Sequence, residues 1–339
     1  MSGRRVVITG VASQWGAELA RRLERDPSIE YLAGIDDAPP AVELERTDFI
    51  EADIRSPLLS RLLPGTGAET IVHCGIRWFP EPGKPSRVLH DVNVIGTLQL
   101  LAACERTETL RSLVVRGSAA IYGCEGPAPC FFTEEMARRL PLRTRFQRDA
   151  SELEAYIDNF ARRHAEIVCC ILRYQPEIGP GLDSPLVRYL SLPVVPTQLG
   201  FDPRLQLVHV EDAAGALEAA TRNPARGPVN VAPSGAISLS RILRLARRPF
   251  VPIPHPVFGP ALERLGRRLG AGPLYGDGVR LLRYGRGVDN GRLRSDIGYE
   301  PRFDAVGAVR DFASATGSRR IGPSLHPGDL TGRLAGFGR

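Results

Sequence analysis

A short β-branched run, Val6-Val7-Ile8-Thr9, stops at Gly10, and an amphipathic pattern starts almost at once at Gln14-Trp15-Gly16-Ala17-Glu18-Leu19. The run reads as a buried strand, the glycine as a tight turn and the pattern as a helix. This order carries a helix N-terminus, with its free backbone N–H groups and positive dipole end, to the end of a strand. A pyrophosphate fits there if the backbone can approach it closely, which favours residues without a side chain. Gly10 and Gly16 hold the outer positions of G-x-x-G-x-x-G, and Ser13 stands at the middle one.

A second apolar run, Tyr31-Leu32-Ala33-Gly34-Ile35, ends in Asp36-Asp37. In a dinucleotide-binding unit a carboxylate about twenty residues past the glycine turn accepts both hydroxyls of the adenosine ribose. It repels a 2′-phosphate, and no arginine or lysine immediately follows Asp36 to attract one. The pair of features favours NAD over NADP.

Further along, strand-like and helix-like segments alternate. Residues 49–53, 70–75, 112–115 and 167–172 read as strands, 57–63 as a short helical turn, and 87–106 and 146–164 as amphipathic helices. In the first long helix Val88, Val92, Ile95, Leu98 and Ala102 share a face. Alternation of this kind implies an α/β fold, a doubly wound parallel sheet (Rossmann-like) with a smaller C-terminal substrate lobe. A dinucleotide-binding domain is expected over 1–173, with a segment at about 205–222 (a strand, an Asp212 cap and a helix) returning to it. Beyond Arg173, prolines break the pattern, and 174–316 form mainly the second lobe, with Ser238 capping a helix through Leu245. A Gly-, Pro- and Arg-rich tail, 317–339, lacks periodicity and reads as flexible.

Composition removes several function classes. With 43% hydrophobic and 24% charged residues the chain is an ordinary globular one, and no apolar run is long enough to cross a membrane. The first strand begins within six residues of the N-terminus, so no signal peptide is expected and the protein is read as cytoplasmic. The net charge of +6 comes from scattered arginines, Lys84 being the single lysine, and does not form a nucleic-acid-binding stripe. The six cysteines form no C-x-x-C pair and the histidines are dispersed, so no metal is expected.

These motifs resemble, in order and over nearly the whole chain to Phe312, the extended short-chain dehydrogenases/reductases, in particular the NAD-dependent epimerase/dehydratase branch. The resemblance is carried by Thr9-Gly10 to Gly16, Asp36, Ala52-Asp53-Ile54-Arg55, Val72-His73-Cys74-Gly75, Asn93-Val94-Ile95-Gly96-Thr97, Gly117-Ser118-Ala119-Ala120-Ile121-Tyr122-Gly123, Ile178-Gly179-Pro180 and Val208-His209-Val210-Glu211-Asp212. It implies that Gly10, Ser13, Gln14, Trp15 and Gly16 face the cofactor and that Asp53 contacts the adenine with a backbone contact from Ile54. It further implies that His73, Cys74 and Gly75 line the crevice, that Asn93 sits in the flanking helix and that Ser118 bonds the substrate. Tyr122 reads as a packing residue. Nucleotide sugars are the implied substrates, with Arg204, Arg283 and Arg286 as candidate diphosphate anchors, and a homodimer through 87–106 and 146–164 is the implied assembly.

The family's Tyr-x-x-x-Lys pair, one helical turn apart at the start of the helix after the fifth strand, is missing. Here that helix reads Phe146-Gln147-Arg148-Asp149-Ala150. Phenylalanine has no proton to exchange, and alanine has no charge with which to lower a phenol's pKa. Three readings stay open: an NAD-binding protein without the family's chemistry, an enzyme with another proton carrier (Asp149, Tyr122 or a water held by Ser118), or a partner-binding protein keeping only the fold. Asp36 and Asp53 weigh against the third.

Titration calorimetry should show tighter binding of NAD than of NADP, and Asp36→Ala should weaken NAD at least about tenfold, since a hydrogen bond to a charged group is worth roughly 1.5–3 kcal/mol. Equal affinity for the two dinucleotides would contradict the assignment of Asp36.

Overall fold

A computed structural model describes residues 3–77, 86–137, 139–268 and 277–317. Lys84 and the tail beyond Gly317 lie outside the described residues. The central sheet is built from β1 (Arg4–Thr9), β2 (Ile29–Asp36), β3 (Thr47–Glu51), β4 (Thr70–His73), β5 (Ser112–Ser118), β6 (Val168–Tyr174) and β11 (Gly227–Val231). Its order is β11-β6-β5-β4-β1-β2-β3, and every pairing is parallel. The switch point therefore lies beside β1, where a doubly wound sheet opens a crevice at its carboxyl edge. β3 ends two residues before Asp53, leaving that carboxylate in the loop at this edge.

Helices cover both faces. α1 (Gln14–Leu23) and α7 (Val210–Arg222) pack on one, and α2 (Leu59–Gly65), α4 (Gly96–Cys104) and α5 (Arg145–Arg163) on the other. Cys169 and Cys170 point into these two opposite cores, as alternation along a strand requires. A third core gathers Cys124 with residues from Ile178 to Phe312 and takes in α6 (Pro185–Leu190), α8 (Leu239–Leu245), α9 (His255–Arg268), α10 (Asp277–Tyr284) and α12 (Ala305–Gly317). The short strands β7 (Glu177–Ile178) and β10 (Val208–His209), β9 (Arg204–Leu205) and β12 (Ile237–Ser238), and β8 (Val195–Gln198) and β13 (Phe250–Ile253) pair outside the main sheet, and α11 (Gly291–Ser295) follows α10.

Several sequence expectations need correction. The long helix before β5 is composite: α3 (Ser86–His90), a π-helical turn over Asp91–Ile95 and then α4. Its sheet-facing side carries the polar Asn93 and Thr97, and the expected core residues Ile95 and Ala102 are exposed. The buried side combines Val92, Val94, Leu100, Leu101, Ala103 and Cys104 with these two hydrogen-bonded polar residues, and an apolar periodicity passes over the polar pair. In the segment at about 205–222 the helix α7 returns to the main sheet, but its strand does not, since β10 pairs with β7. Within it His209, not Asp212, caps α7, by accepting from the Glu211 N–H at 3.2 Å, while Asp212 accepts from the Arg302 and Phe303 amides and Tyr299. At α8, Ser238 occupies the cap position but its hydroxyl lies against Ser240, whose own amide is held by Asp202.

α5 is fixed by a buried ion pair. Arg173 in β6 donates twice to Glu154, at 2.9 and 2.6 Å, and its remaining N–H group reaches the Tyr122 hydroxyl and the Glu134 carbonyl. Tyr122 in turn donates to Asn230 at 2.6 Å, so it is a packing residue with a hydroxyl pushed up to about 12 by burial. Removing one partner leaves a buried charge without its counterion. Glu154→Ala should accordingly lower the unfolding free energy by roughly 3–5 kcal/mol in denaturant titration; a loss below 1 kcal/mol would mean that apolar contacts alone hold α5.

Candidate functional site

The glycine turn is a set of close backbone approaches. Gly10 has φ +79°, and a Cβ there would sit 2.3 Å from Gly75 N and Cα; a Cβ on Gly16 would sit 2.2 Å from the Gly10 carbonyl oxygen. Ser13 is no imitation of a glycine. It is the N-cap of α1, its hydroxyl donating to the Gly10 carbonyl (2.6 Å) and accepting from the Gly16 N–H (3.0 Å). The amides of Gln14 and Trp15 keep no partner among the described residues. Two unsatisfied donors at a helix start are what a pyrophosphate requires.

From this turn a groove of about 510 Å³ runs over the carboxyl ends of β1, β2 and β4. Gly10, Ser13, Asp36, Asp53, Ile54, Cys74 and Gly75 line it, together with Arg77 and Val92. The Asp36 carboxylate accepts from the Ala12 and Asp37 amides, both at 2.8 Å, and burial pushes it up to about 6. Asp53 is held by Arg55, whose hydrogen bonds keep its carboxyl below the usual range. Gln14 and Trp15 line a second groove, of about 440 Å³, on the other side of the turn with Pro180 and Val210.

Two of the expected cofactor residues act from behind the groove. His73 is buried, its Nδ1 2.8 Å from the Thr9 hydroxyl and its Nε2 3.3 Å from that of Thr97, and burial lowers its pKa to about 4. It is a neutral strut, not a lining residue. Asn93 accepts from the Arg77 N–H and donates to the Arg77 carbonyl, both at 2.8 Å, and so fixes the loop that forms the groove wall. Cys74 does face the groove, with its thiol pushed up to about 12 by burial.

Beyond β4 the strand ends carry charge. Arg116 is buried, with its guanidinium carbon 4.4 Å from the Trp15 ring centre and 4.8 Å from that of Tyr174, and it is ion-paired to Glu177. Ser118, half-buried at the end of β5, accepts from the Ala120 N–H at 3.2 Å. A capping box of Thr144 and Gln147 starts α5, which places Phe146 and Ala150 on its first turns. Asp149 is not alone there: its Oδ1 lies 3.0 Å from Nδ1 of His90.

The three candidate substrate arginines differ. Arg204 is exposed on β9. Arg283 lies over the rings of Phe201 and Tyr284 and against His255. Arg286 is buried and bonded within the protein, to Asp277 (3.1 Å), Gln175 and the Cys124 sulfur, and the other Asp277 oxygen accepts from Gln147. As an anchor for a substrate anion, Arg286 already has its anion.

His90, Arg116, Glu177, Asp277 and Gln147 were not singled out in the sequence. Only the Thr144–Gln147 capping box has a local signature; the others acquire meaning through partners 59, 61 and 9 residues away for His90, Arg116 and Asp277 respectively.

The Asp36 carboxyl bears on pH. Its folded value lies above the ordinary one, so ionising it works against the fold as pH rises from about 4 to about 6, and ribose hydroxyls that donate to the carboxylate favour the ionised form. NAD affinity should therefore rise with pH and level off near neutrality, falling about tenfold between pH 7 and pH 5. The checks are calorimetry across that range and Asp36→Asn, which should flatten the profile; an unchanged affinity at pH 5 in the parent protein would contradict this role.

Residues 6–232 match the model of the NAD dependent epimerase/dehydratase family. The chain is 34% identical over 317 residues to an uncharacterized protein of Mycobacterium bovis, covering 92% of this chain and 84% of the relative, and equally to one of Mycobacterium tuberculosis. Among solved structures it resembles dTDP-glucose 4,6-dehydratase of Bacillus anthracis in complex with NAD (TM-score 0.68, 14% identity, 94% of this chain and 98% of the other). It also resembles UDP-glucose 4-epimerase of Thermotoga maritima with UDP-glucose (TM-score 0.68, 16% identity, 92% and 98%). At such identities these two establish the fold alone. The family match covers most of the chain, and it agrees with the glycine turn, the carboxylate of Asp36 at the end of β2 and the switch-point groove: this protein belongs to the NAD-dependent epimerase/dehydratase family.

Proposed function

We propose that the protein binds NAD across the switch point, with the adenosine ribose on Asp36 and the pyrophosphate on the amides of Gln14 and Trp15, and that it does not run the tyrosine–lysine reaction on nucleotide sugars. Bound NAD supplies a hydride acceptor; the residues around it decide whether a proton can move in step. The observation that carries this reading is the start of α5, where Phe146 and Ala150 occupy the first turns next to the segment that follows Ser118. Asp277 supports it further, because it neutralises Arg286, one of three arginines available to a diphosphate. Arg204 and Arg283 remain for a nucleotide sugar or a related small anion, arginine being suited to grip two phosphate oxygens.

A second reading, an enzyme with its own proton carrier, is favoured by one contact: the pairing of Asp149 with His90. In either case the family's proton exchange, worth roughly 10²–10⁴-fold, is absent from positions 146 and 150.

UDP-glucose and UDP-galactose interconversion at saturating NAD should be undetectable in the parent protein. Phe146→Tyr with Ala150→Lys should restore measurable hydride transfer if the sugar site is intact. Robust turnover by the parent protein would overturn this reading.

A further inference from the structure

Three polar side chains rise along one side of the composite helix toward the carboxyl edge of the sheet. Thr97 meets His73, the last residue of β4, and Asn93 clamps Arg77 in the loop just beyond it. His90, a turn further on, stands past the strand end and meets Asp149 from the first turns of α5. In a doubly wound sheet this is the side of the switch point opposite the ribose carboxylate, where the second half of a dinucleotide lies. Val92, two residues from His90, already lines the groove.

The contact has a defined polarity. A carboxylate accepts, so Nδ1–H of His90 points to Asp149 and Nε2 is the ring nitrogen left to take up or release a proton. Asp149 has an 8% exposed side chain, whereas His90 is 30% exposed and its Nε2 has no hydrogen-bond partner among the described residues. An imidazole oriented by a buried carboxylate, with its other nitrogen open, is the arrangement that general acid–base chemistry requires.

We propose that His90 is the proton carrier of this site and Asp149 its positioning residue, in place of the missing tyrosine and lysine. The substrate class is a secondary alcohol. As its C–H hydrogen leaves with the bonding pair as hydride, taken up by the nicotinamide of NAD, its O–H proton passes to Nε2 of His90. The carbon becomes a carbonyl, and reversal returns both hydrogens. This rests on the NAD reading of the groove.

The test uses the full chain and two probes, NAD and ADP-ribose, which share the adenosine, the pyrophosphate and the second ribose and differ by the nicotinamide ring. Calorimetry first establishes that both bind. The imidazole resonances, assigned with His90→Gln, are then followed by NMR, and diethyl pyrocarbonate acylation of His90 is read by peptide mass. NAD should shift the His90 resonance and protect Nε2 from acylation, while ADP-ribose should do neither. Asp149→Asn, its fold checked by circular dichroism, should scramble the tautomer pattern of His90 without abolishing ADP-ribose binding. The same response to NAD and ADP-ribose, or a His90 tautomer indifferent to Asp149→Asn, would overturn the proposal while leaving the NAD reading in place. Failure of both probes to bind would overturn both.

Discussion

The site depends on how closely three pieces of backbone approach one another. Gly10 lies against Gly75, and Gly16 against the Gly10 carbonyl, at distances that leave no room for a Cβ. This packing brings the ends of β1 and β4 together beneath the start of α1, and it fixes where the unsatisfied amides of Gln14 and Trp15 stand. Ser13 tightens the same corner by capping α1 with its own hydroxyl. The groove, the Asp36 carboxylate and the loop wall held by Asn93 are all arranged around that contact.

Buried polar pairs then set what the far side of the crevice can do. Arg173 with Glu154 anchors α5, Arg116 with Glu177 sits between Trp15 and Tyr174, and Arg286 with Asp277 occupies one arginine of the second lobe. A buried pair adds less stability than its contacts suggest, since desolvation offsets most of the attraction. Its effect is to fix geometry. Here that geometry keeps Phe146 and Ala150 at the start of α5 and holds Asp149 against His90.

What can be read from the chain alone follows from sequence distance. Gly10, Gly16 and Asp36 are recognisable because one local βαβ unit imposes their spacing, and the Phe146–Ala150 gap shows because the missing pair belongs to a single helical turn. The inner face of the composite helix was misread, since Asn93 and Thr97 are buried by bonds to Arg77 and His73 rather than by apolarity. The family resemblance of Val72-His73-Cys74-Gly75 implies that His73 lines the crevice, and only the positions of Thr9 and Thr97 reveal it as a strut. No local pattern marks the pairing of His90 with Asp149, two helices apart.

The central claim is that a dinucleotide lies across this switch point. A crystal structure of the protein with NAD tests it most directly. The account predicts the adenosine ribose on Asp36, the pyrophosphate against the Gln14 and Trp15 amides, and the nicotinamide beyond β4 on the side of Ser118 and His90. NAD bound elsewhere, or an adenosine half turned away from Asp36, would contradict it.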